Sequence, residues 1–367
     1  MPTDAAALVL SIDLGALAKN WKRLAEMSAP AEAGAVVKAD AYGIGIEPAV
    51  AALAAAGCRT FFVALPEEGR RVRVAAPDAI VYVLDGFFPD WTDIFRADNL
   101  RPVLNTFASV EAWAAHCRGT PSAIQVDTGM NRLGLSVHES LELSRRPNLL
   151  ADAAPRLLMS HLACADDPVN PMNVSQLALF RELRAELPDL PASLANSAGI
   201  HLGADFHFDL VRPGIALYGA AFARGHAPLA TVVTAKARIL QVREASAGEA
   251  VGYGATKHLE RDTRVAVLAA GYADGYHRLA GSNDARPGAF AAVRGRRAPL
   301  LGRVSMDLIA IDVTGIGAVT EGDWVELFGP SLPIDEVAHA ADTIGYELLT
   351  QLSRRAERCY LNRPKAS

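Results

Sequence analysis

The sequence predicts an α/β fold, a (β/α)8 TIM-like barrel followed by a mostly β C-terminal domain. Three observations lead there. Up to about residue 220, short apolar runs alternate with helical stretches. Those runs are apolar on both faces, as parallel strands covered by helices must be. After about residue 228 the hydrophobic period changes to two, which marks half-buried strands. In order, the strand candidates are residues 34–39, 60–64 (TFFVA), 80–84 (IVYVL), Arg101–Leu104, 122–127, 157–162 (LLMSHL), 192–195 and 209–211. Residues 47–56, 66–74 and 173–187 read as helices between them. Eight βα units over this length fit a closed barrel better than a doubly wound sheet.

In the second region, Val233, Ala235, Ala237 and Ile239 alternate with Thr234, Lys236 and Arg238. Further strands are expected at 264–268, 308–313 and Trp324–Phe328, with a short helix near 333–341 and another from Ile344. The domains are therefore drawn as 1–227 and 228–367. Residues 7–12, ahead of the barrel, are a candidate strand of the second domain.

Composition narrows the function. Apolar residues make up 51% and charged residues 21% of the 367, which is ordinary for a globular protein. A net charge of −5 without a long basic run gives no reason to expect a nucleic-acid partner. No apolar stretch approaches the ~18 residues of a membrane span, and residues 1–4 carry no basic leader. Cys58, Cys117, Cys164 and Cys359 lie far apart without CxxC spacing. That argues against a metal site and a disulfide framework and for reduced thiols in the cytoplasm.

Reactive groups of such barrels lie at the C-terminal ends of the strands, where Lys38, Arg132, His161, Asn196, Ser197 and Arg212 fall. Each has a structural reading beside a functional one. A lone Lys is usually a solvated surface residue, but Lys38 follows the apolar run Ala35-Val36-Val37. Burial there lowers its pKa and frees the amine for Schiff-base chemistry. His161 is either a satisfied core histidine or a site residue. A buried Arg212 needs an acceptor, and Asp209 is the nearest carboxylate in sequence for a structural salt bridge. Asn196-Ser197 is an N-cap or a phosphate-facing helix start. Gly214 fits a tight turn or close approach to a ligand. Neither GxxxxGK[ST] nor GxGxxG occurs, so a nucleotide is not favoured.

Together these segments resemble the alanine racemase family over nearly the whole chain. The carriers are Ala35-Val36-Val37-Lys38-Ala39-Asp40-Ala41-Tyr42-Gly43, then Val126-Asp127-Thr128-Gly129-Met130-Asn131-Arg132-Leu133-Gly134, His161, Asn196-Ser197 and Arg212-Pro213-Gly214-Ile215. In the second domain they are Val251-Gly252-Tyr253-Gly254, Gly271-Tyr272-Ala273-Asp274-Gly275-Tyr276 and Gly302-Arg303-Val304-Ser305-Met306-Asp307. The resemblance implies pyridoxal 5'-phosphate (PLP) held on Lys38, which acts as one base. Tyr253 from the partner subunit of a homodimer acts as the other. Tyr42, Asn196, Ser197, Gly214 and Ile215 would hold the cofactor at its phosphate end. Arg212 would face the pyridine nitrogen and His161 would pack against the ring. Arg132 and the Met306 backbone would meet the substrate carboxylate, and Tyr272 would line the entrance. The reaction implied is interconversion of L- and D-alanine, supplying D-alanine for peptidoglycan.

Two departures from the family stand out. Many members have a lysine, often carbamylated, where this chain has Gln125, so Arg132 is expected to be oriented by the neutral amide or by a bound anion. Some members place a phosphate-binding tyrosine at the position aligned here with Arg354. Rival readings are a non-catalytic PLP-binding barrel, a PLP-dependent decarboxylase, a broad-specificity racemase and a metal-dependent hydrolase. The β region with Tyr253 disfavours the first, and the lack of a ligand cluster at metal spacing disfavours the last.

Overall fold

The computed structural model describes residues 6–223 and 229–364. The expected boundary at 227/228 and residues 1–4 lie outside them. Strands Ala35–Val36, Thr60–Val63, Ile80–Val83, Arg101–Leu104, Ser122–Gln125, Pro155–Met159 and Ala192–Ser193 form one parallel sheet in chain order. The eighth strand, Leu210–Val211, pairs in parallel with Glu32–Ala33, which runs through Gly34 into the first strand of that sheet. Backbone N–H groups of Gly34 and Val36 donate to Val211 and Pro213 (2.9 Å each), and those of Asp209 and Arg212 donate to Ala192 and Ala195 (3.0 and 2.9 Å). These bonds close the barrel. All eight strand candidates are present, and their buried side chains account for the two-faced apolar pattern.

Helices Ile46–Ala56, Pro66–Ala75 and Pro171–Glu186 fall where helical periodicity was read. A further long helix, Leu14–Ser28, lies in a stretch given no assignment from sequence. Asp13 caps it through Oδ1, which accepts from Ala16 N at 2.9 Å. Leu14, Leu17, Trp21 and Leu24, spaced by three or four, are its buried face.

One expected strand is shorter than drawn. Residues 34–39 read as continuous β structure, but the strand ends at Val36. From Lys38 to Tyr42 the chain makes a left-handed turn, with φ of 54° at Ala39 and Asp40 and 53° at Ala41 and Tyr42. Left-handed helical backbone costs non-glycine residues about 1–2 kcal/mol each, so four in succession require strong external support.

The second domain is a closed ring of six strands with two more on its flank. Val233–Ala245 pairs with Trp324–Phe328 over its first part and Thr263–Leu268 over its second, with register shifts that include one between Ile239 and Gln241. Ile309–Asp312, Arg296–Leu301 and Phe290–Val293 complete the ring. Leu8–Asp13 adds antiparallel to Val233–Ala245 and parallel to Glu357–Leu361. The hairpin 290–301 and the strand Glu357–Leu361 were not read from sequence. Short helices Ile334–Ala340 and Gly345–Thr350 follow the ring.

This domain grips the end of the left-handed turn. Tyr360 Oη donates to Ile44 O at 2.7 Å and Arg358 Nη2 to Gly43 O at 3.2 Å. Gly43 (φ 84°) abuts the carbonyl of Leu349 so closely that no side chain would fit. Among the described residues no helix is long and apolar enough to cross a membrane, and no three His, Cys, Asp or Glu side chains gather as metal ligands.

Candidate active site

The barrel's C-terminal mouth gathers Lys38, Tyr42, His161, Asn196, Ser197, Arg212, Gly214 and Ile215 on neighbouring strand ends. Lys38 is partly buried. Its pKa is lowered by burial first and by Arg132 second, while Asp85 and Glu68 oppose the shift. An amine so placed carries a larger neutral, nucleophilic fraction than a solvated lysine.

Arg212 is 3% exposed. Among the described residues it has no carboxylate partner, which corrects the expected salt bridge with Asp209. Its Nη1 donates to Ser193 Oγ at 2.5 Å and its Nη2 to Ser160 O at 2.5 Å. Asp209 instead pairs with Arg184 (3.3 Å) and accepts from Ala192 N (2.8 Å). Burial lowers the Arg212 pKa to about 9, so the guanidinium remains charged near neutrality. A buried cation held only by neutral acceptors is suited to face an electron-rich ligand atom.

His161 Nδ1 lies 3.4 Å from Arg212 Nη2. Burial, then Arg212, Arg132 and Lys38, push its pKa down to about 3. The ring is therefore neutral at pH 7. A guanidinium facing Nδ1 favours the lone pair there and the proton on Nε2. The neutral ring adds no positive charge here, and Arg212 is the fixed cation beside it. Beneath the histidine, Gln176 Nε2 donates to His161 O (2.9 Å) and Thr128 Oγ1 (3.1 Å), and Thr128 Oγ1 lies 2.8 Å from Ser160 Oγ.

Of the two readings of Asn196-Ser197, the cap is the one that the hydrogen bonds show. Asn196 Oδ1 accepts from Gly199 N at 2.9 Å, as a cap does. Ser197 Oγ accepts from Gly214 N (2.8 Å) and Ala216 N (3.3 Å), bracing the segment that opens the short 3-10 helix Ile215–Tyr218. A side chain on Gly214 would sit 2.5 Å from the Tyr42 hydroxyl, so glycine makes room for that phenol. Tyr42 stacks on Tyr218 with centroids 4.4 Å apart, and Tyr218 Oη donates to Val36 O at 2.9 Å. Burial raises the pKa of both phenols, so they stay protonated.

Arg132 is exposed at the tip of the loop after Ser122–Gln125. Asp127 fastens that loop by accepting from the N–H groups of Gly129, Met130 and Asn131. Gln125 Nε2 donates to Leu133 O at 2.9 Å. The amide thus ties down the loop backbone and leaves the guanidinium alone, which corrects one of the two expected modes of orienting Arg132.

The second-domain residues stand apart. Tyr253 is 72% exposed, Met306 54% and Tyr272 42%. Tyr253 lies between two left-handed glycines, Gly252 (φ 79°) and Gly254 (φ 75°), and makes no hydrogen bond to Lys38. Tyr272 and Met306 adjoin: Tyr272 N donates to Ser305 O and Ala273 N to Met306 O, both at 3.0 Å.

Sequence reasoning missed several contributors. Ser160 and Ser193 hold Arg212, and Gln176 supports His161. Tyr346, on the helix Gly345–Thr350, brings its ring within 6.1 Å of the Tyr42 ring. Arg354, to which a tyrosine position was aligned, is exposed. The second-domain tyrosine at this cluster is Tyr346, eight residues earlier. The apolar spacing around Gly345-Tyr346-Glu347-Leu348-Leu349 was the available signal.

Comparison with known proteins agrees with this geometry. Residues 12–222 match the model for the alanine racemase N-terminal domain and 232–360 that for its C-terminal domain. An alanine racemase of Rhizobium meliloti is 50% identical over 364 residues, 96% of each chain. A biosynthetic alanine racemase of Agrobacterium fabrum is 47% identical, covering 98% of this chain and 96% of its own. The crystal structure of alanine racemase from Bartonella henselae with covalently bound pyridoxal phosphate superimposes with a TM-score of 0.91. It is 39% identical and is covered in full by 97% of this chain.

Proposed function

The chain belongs to the alanine racemase family, and from that premise we propose that it holds PLP on Lys38 and interconverts L- and D-alanine by moving the Cα proton between Lys38 and Tyr253 of a second copy. The observation that carries the reading is the strained turn presenting a partly buried Lys38, its pKa lowered, at the mouth that also holds the Arg212–His161 pair.

The donor set fits the cofactor. The Tyr42 and Ser197 hydroxyls and the backbone at Gly214 and Ile215 offer polar atoms to a phosphate, with Asn196 bracing the segment. Bound PLP supplies the electron sink that lets a Cα proton leave. Arg212 sets the polarity at the ring end, because a fixed cation disfavours protonation of a nearby pyridine nitrogen. Neutral His161 contributes a flat apolar face and one N–H. Arg132 offers a guanidinium to the substrate carboxylate. The Met306 backbone would meet the same carboxylate, and Tyr272 would line the entrance.

Inversion requires a base on each face of Cα, and Lys38 provides one. A free phenol has a pKa of ~10, so forming tyrosinate at pH 7 costs roughly 4 kcal/mol. The exposure of Tyr253 in the single chain supports a homodimer in which each copy completes the other's site. We place the reaction in the cytoplasm, where its D-alanine would serve peptidoglycan, in line with the relative named biosynthetic.

The test is a panel of L-amino acids scored for the opposite enantiomer, with cofactor content confirmed by visible absorbance. Conversion of alanine above other small amino acids is expected. Cofactor colour without turnover of any member would favour a binding protein and end the proposal.

A further inference from the structure

The left-handed turn that presents Lys38 opens with two backbone N–H groups that are held from outside by one side chain. Ala39 N donates to Glu68 Oε1 at 2.6 Å and Asp40 N to the same oxygen at 3.4 Å. The other oxygen, Oε2, accepts from Ala64 N at 2.9 Å and Leu65 N at 3.2 Å. One carboxylate therefore joins the first two N–H groups after Lys38 to the end of the neighbouring barrel strand. Glu68 is the third residue of helix Pro66–Ala75, and the same helix reaches the turn again one turn later. There Arg71 Nη2 lies 2.7 Å from Asp40 Oδ1, while Arg71 Nε donates to Glu47 at 2.6 Å. Asp40 Oδ1 in addition accepts from Ile46 N at 3.1 Å.

The turn cannot do this for itself. Its own bonds run from Ala41 N to Val37 O, Gly43 N to Ala39 O and Gly45 N to Asp40 O. They leave the N–H groups of Ala39 and Asp40 to an outside acceptor. Ala39 through Tyr42 are all non-glycine residues at φ of 53–54°, a conformation that persists only where its surroundings over-determine it.

We infer that Glu68 is a positioning residue for the reaction: its carboxylate clamps the turn after Lys38 and fixes the direction in which the amine enters the site. The inference rests on the proposed role of Lys38. Glutamine at 68 has one acceptor oxygen in place of two, and its NH2 would face N–H donors. It can satisfy one pair of N–H groups and must lose the other.

The experiment compares PLP-loaded wild type, Glu68→Gln and Glu67→Gln. Glu67 is an exposed neighbour whose ion pair to Arg70 (3.3 Å) lies on the surface. Amide hydrogen exchange is read over residues 37–45, with steady-state kinetics and cofactor absorbance beside it. Glu68→Gln is expected to retain cofactor and speed exchange in that segment about tenfold. Its kcat should fall at least about tenfold, with KM for alanine within about twofold. Glu67→Gln should match wild type. Unchanged exchange or kcat in Glu68→Gln overturns the clamp, as does faster exchange spread over the whole barrel. A lysine-linked absorbance band that survives Lys38→Ala would instead sink the role of Lys38, while exchange at 37–45 would still report on Glu68.

Discussion

The barrel mouth and the second-domain face are built on opposite plans. At the mouth, Arg212, Tyr42, Ser197 and Tyr218 are buried, and each is held by named partners. On the second domain, Tyr253, Tyr272 and Met306 stand exposed. Their backbones are fixed by left-handed glycines and by the tight approach of Gly271 to the carbonyl of Met306. The difference teaches that one half of the proposed site is finished within a single chain. The other half is shaped for use and turned outward, as residues awaiting a second copy would be.

The contrast can be broken most forcefully at Lys38. Lys38→Ala should abolish the lysine-linked absorbance and lower racemisation by about 10^3-fold or more, since a covalent anchor and a base are lost together. An unchanged band would remove Lys38 from the mechanism. Tyr253→Phe should cost about 10^2–10^4-fold, the usual worth of a placed acid–base group. Enantiomers have equal free energy, so detailed balance forces equal kcat/KM in both directions even in this variant. The asymmetry must therefore be sought in deuterium wash-in at Cα. One enantiomer should still exchange with retention while the other does not; equal wash-in into both would contradict a two-base scheme.

Mixing the two inactive variants sharpens the comparison. Random pairing makes half the dimers mixed, and each mixed dimer holds one site with both Lys38 and Tyr253. About a quarter of wild-type activity should return if Tyr253 serves the opposite subunit. No recovery, with mixed dimers demonstrated, would place both bases in one chain. At the loop tip, Arg132→Ala should raise KM for alanine about tenfold with a smaller change in kcat, as expected for a lost contact to a carboxylate. A KM within twofold of wild type would remove that contact.

The smallest effect concerns pH. His161 titrates near 3 in the folded chain against an ordinary 6.5. Between those values the unfolded chain binds the additional proton, so stability falls as pH drops through 6.5 toward 3 and is fully present above that window. The slope from this group is at most about 1.4 kcal/mol per pH unit. Denaturant titrations of His161→Gln should be flatter over that range than wild type. Parallel curves would show that the histidine is not held neutral.

The barrel was legible because eight two-faced apolar runs each had one reading, and the mouth residues followed from strand ends. What escaped was contact across the chain. The partners Ser160 and Ser193 of Arg212 look like any serine near a strand, and only closure of the barrel brings all three together. The turn at Lys38–Tyr42 was hidden because Ala39, Asp40 and Ala41 carry no left-handed preference strong enough to announce it; the surroundings impose it. Gln125 stood out only as a departure from the family's lysine, which says nothing of its hydrogen bond to Leu133. The hairpin 290–301 was obscured by the basic run Arg294-Gly295-Arg296-Arg297, most of which is exposed.

Strand Leu8–Asp13 lies between Val233–Ala245 and Glu357–Leu361. Topologically, the barrel is an insert threaded into the β domain, whose first piece precedes it in the chain. Proteolysis between residues 223 and 229 would leave two fragments still sharing a sheet, and a fragment starting at residue 229 would lack the strand that joins its own two neighbours. Expressing that fragment alone invites an open β seam and aggregation, whereas residues 6–13 appended behind residue 364 through a crossover linker of about a dozen residues, which the parallel pairing demands, would supply the missing strand from the other end.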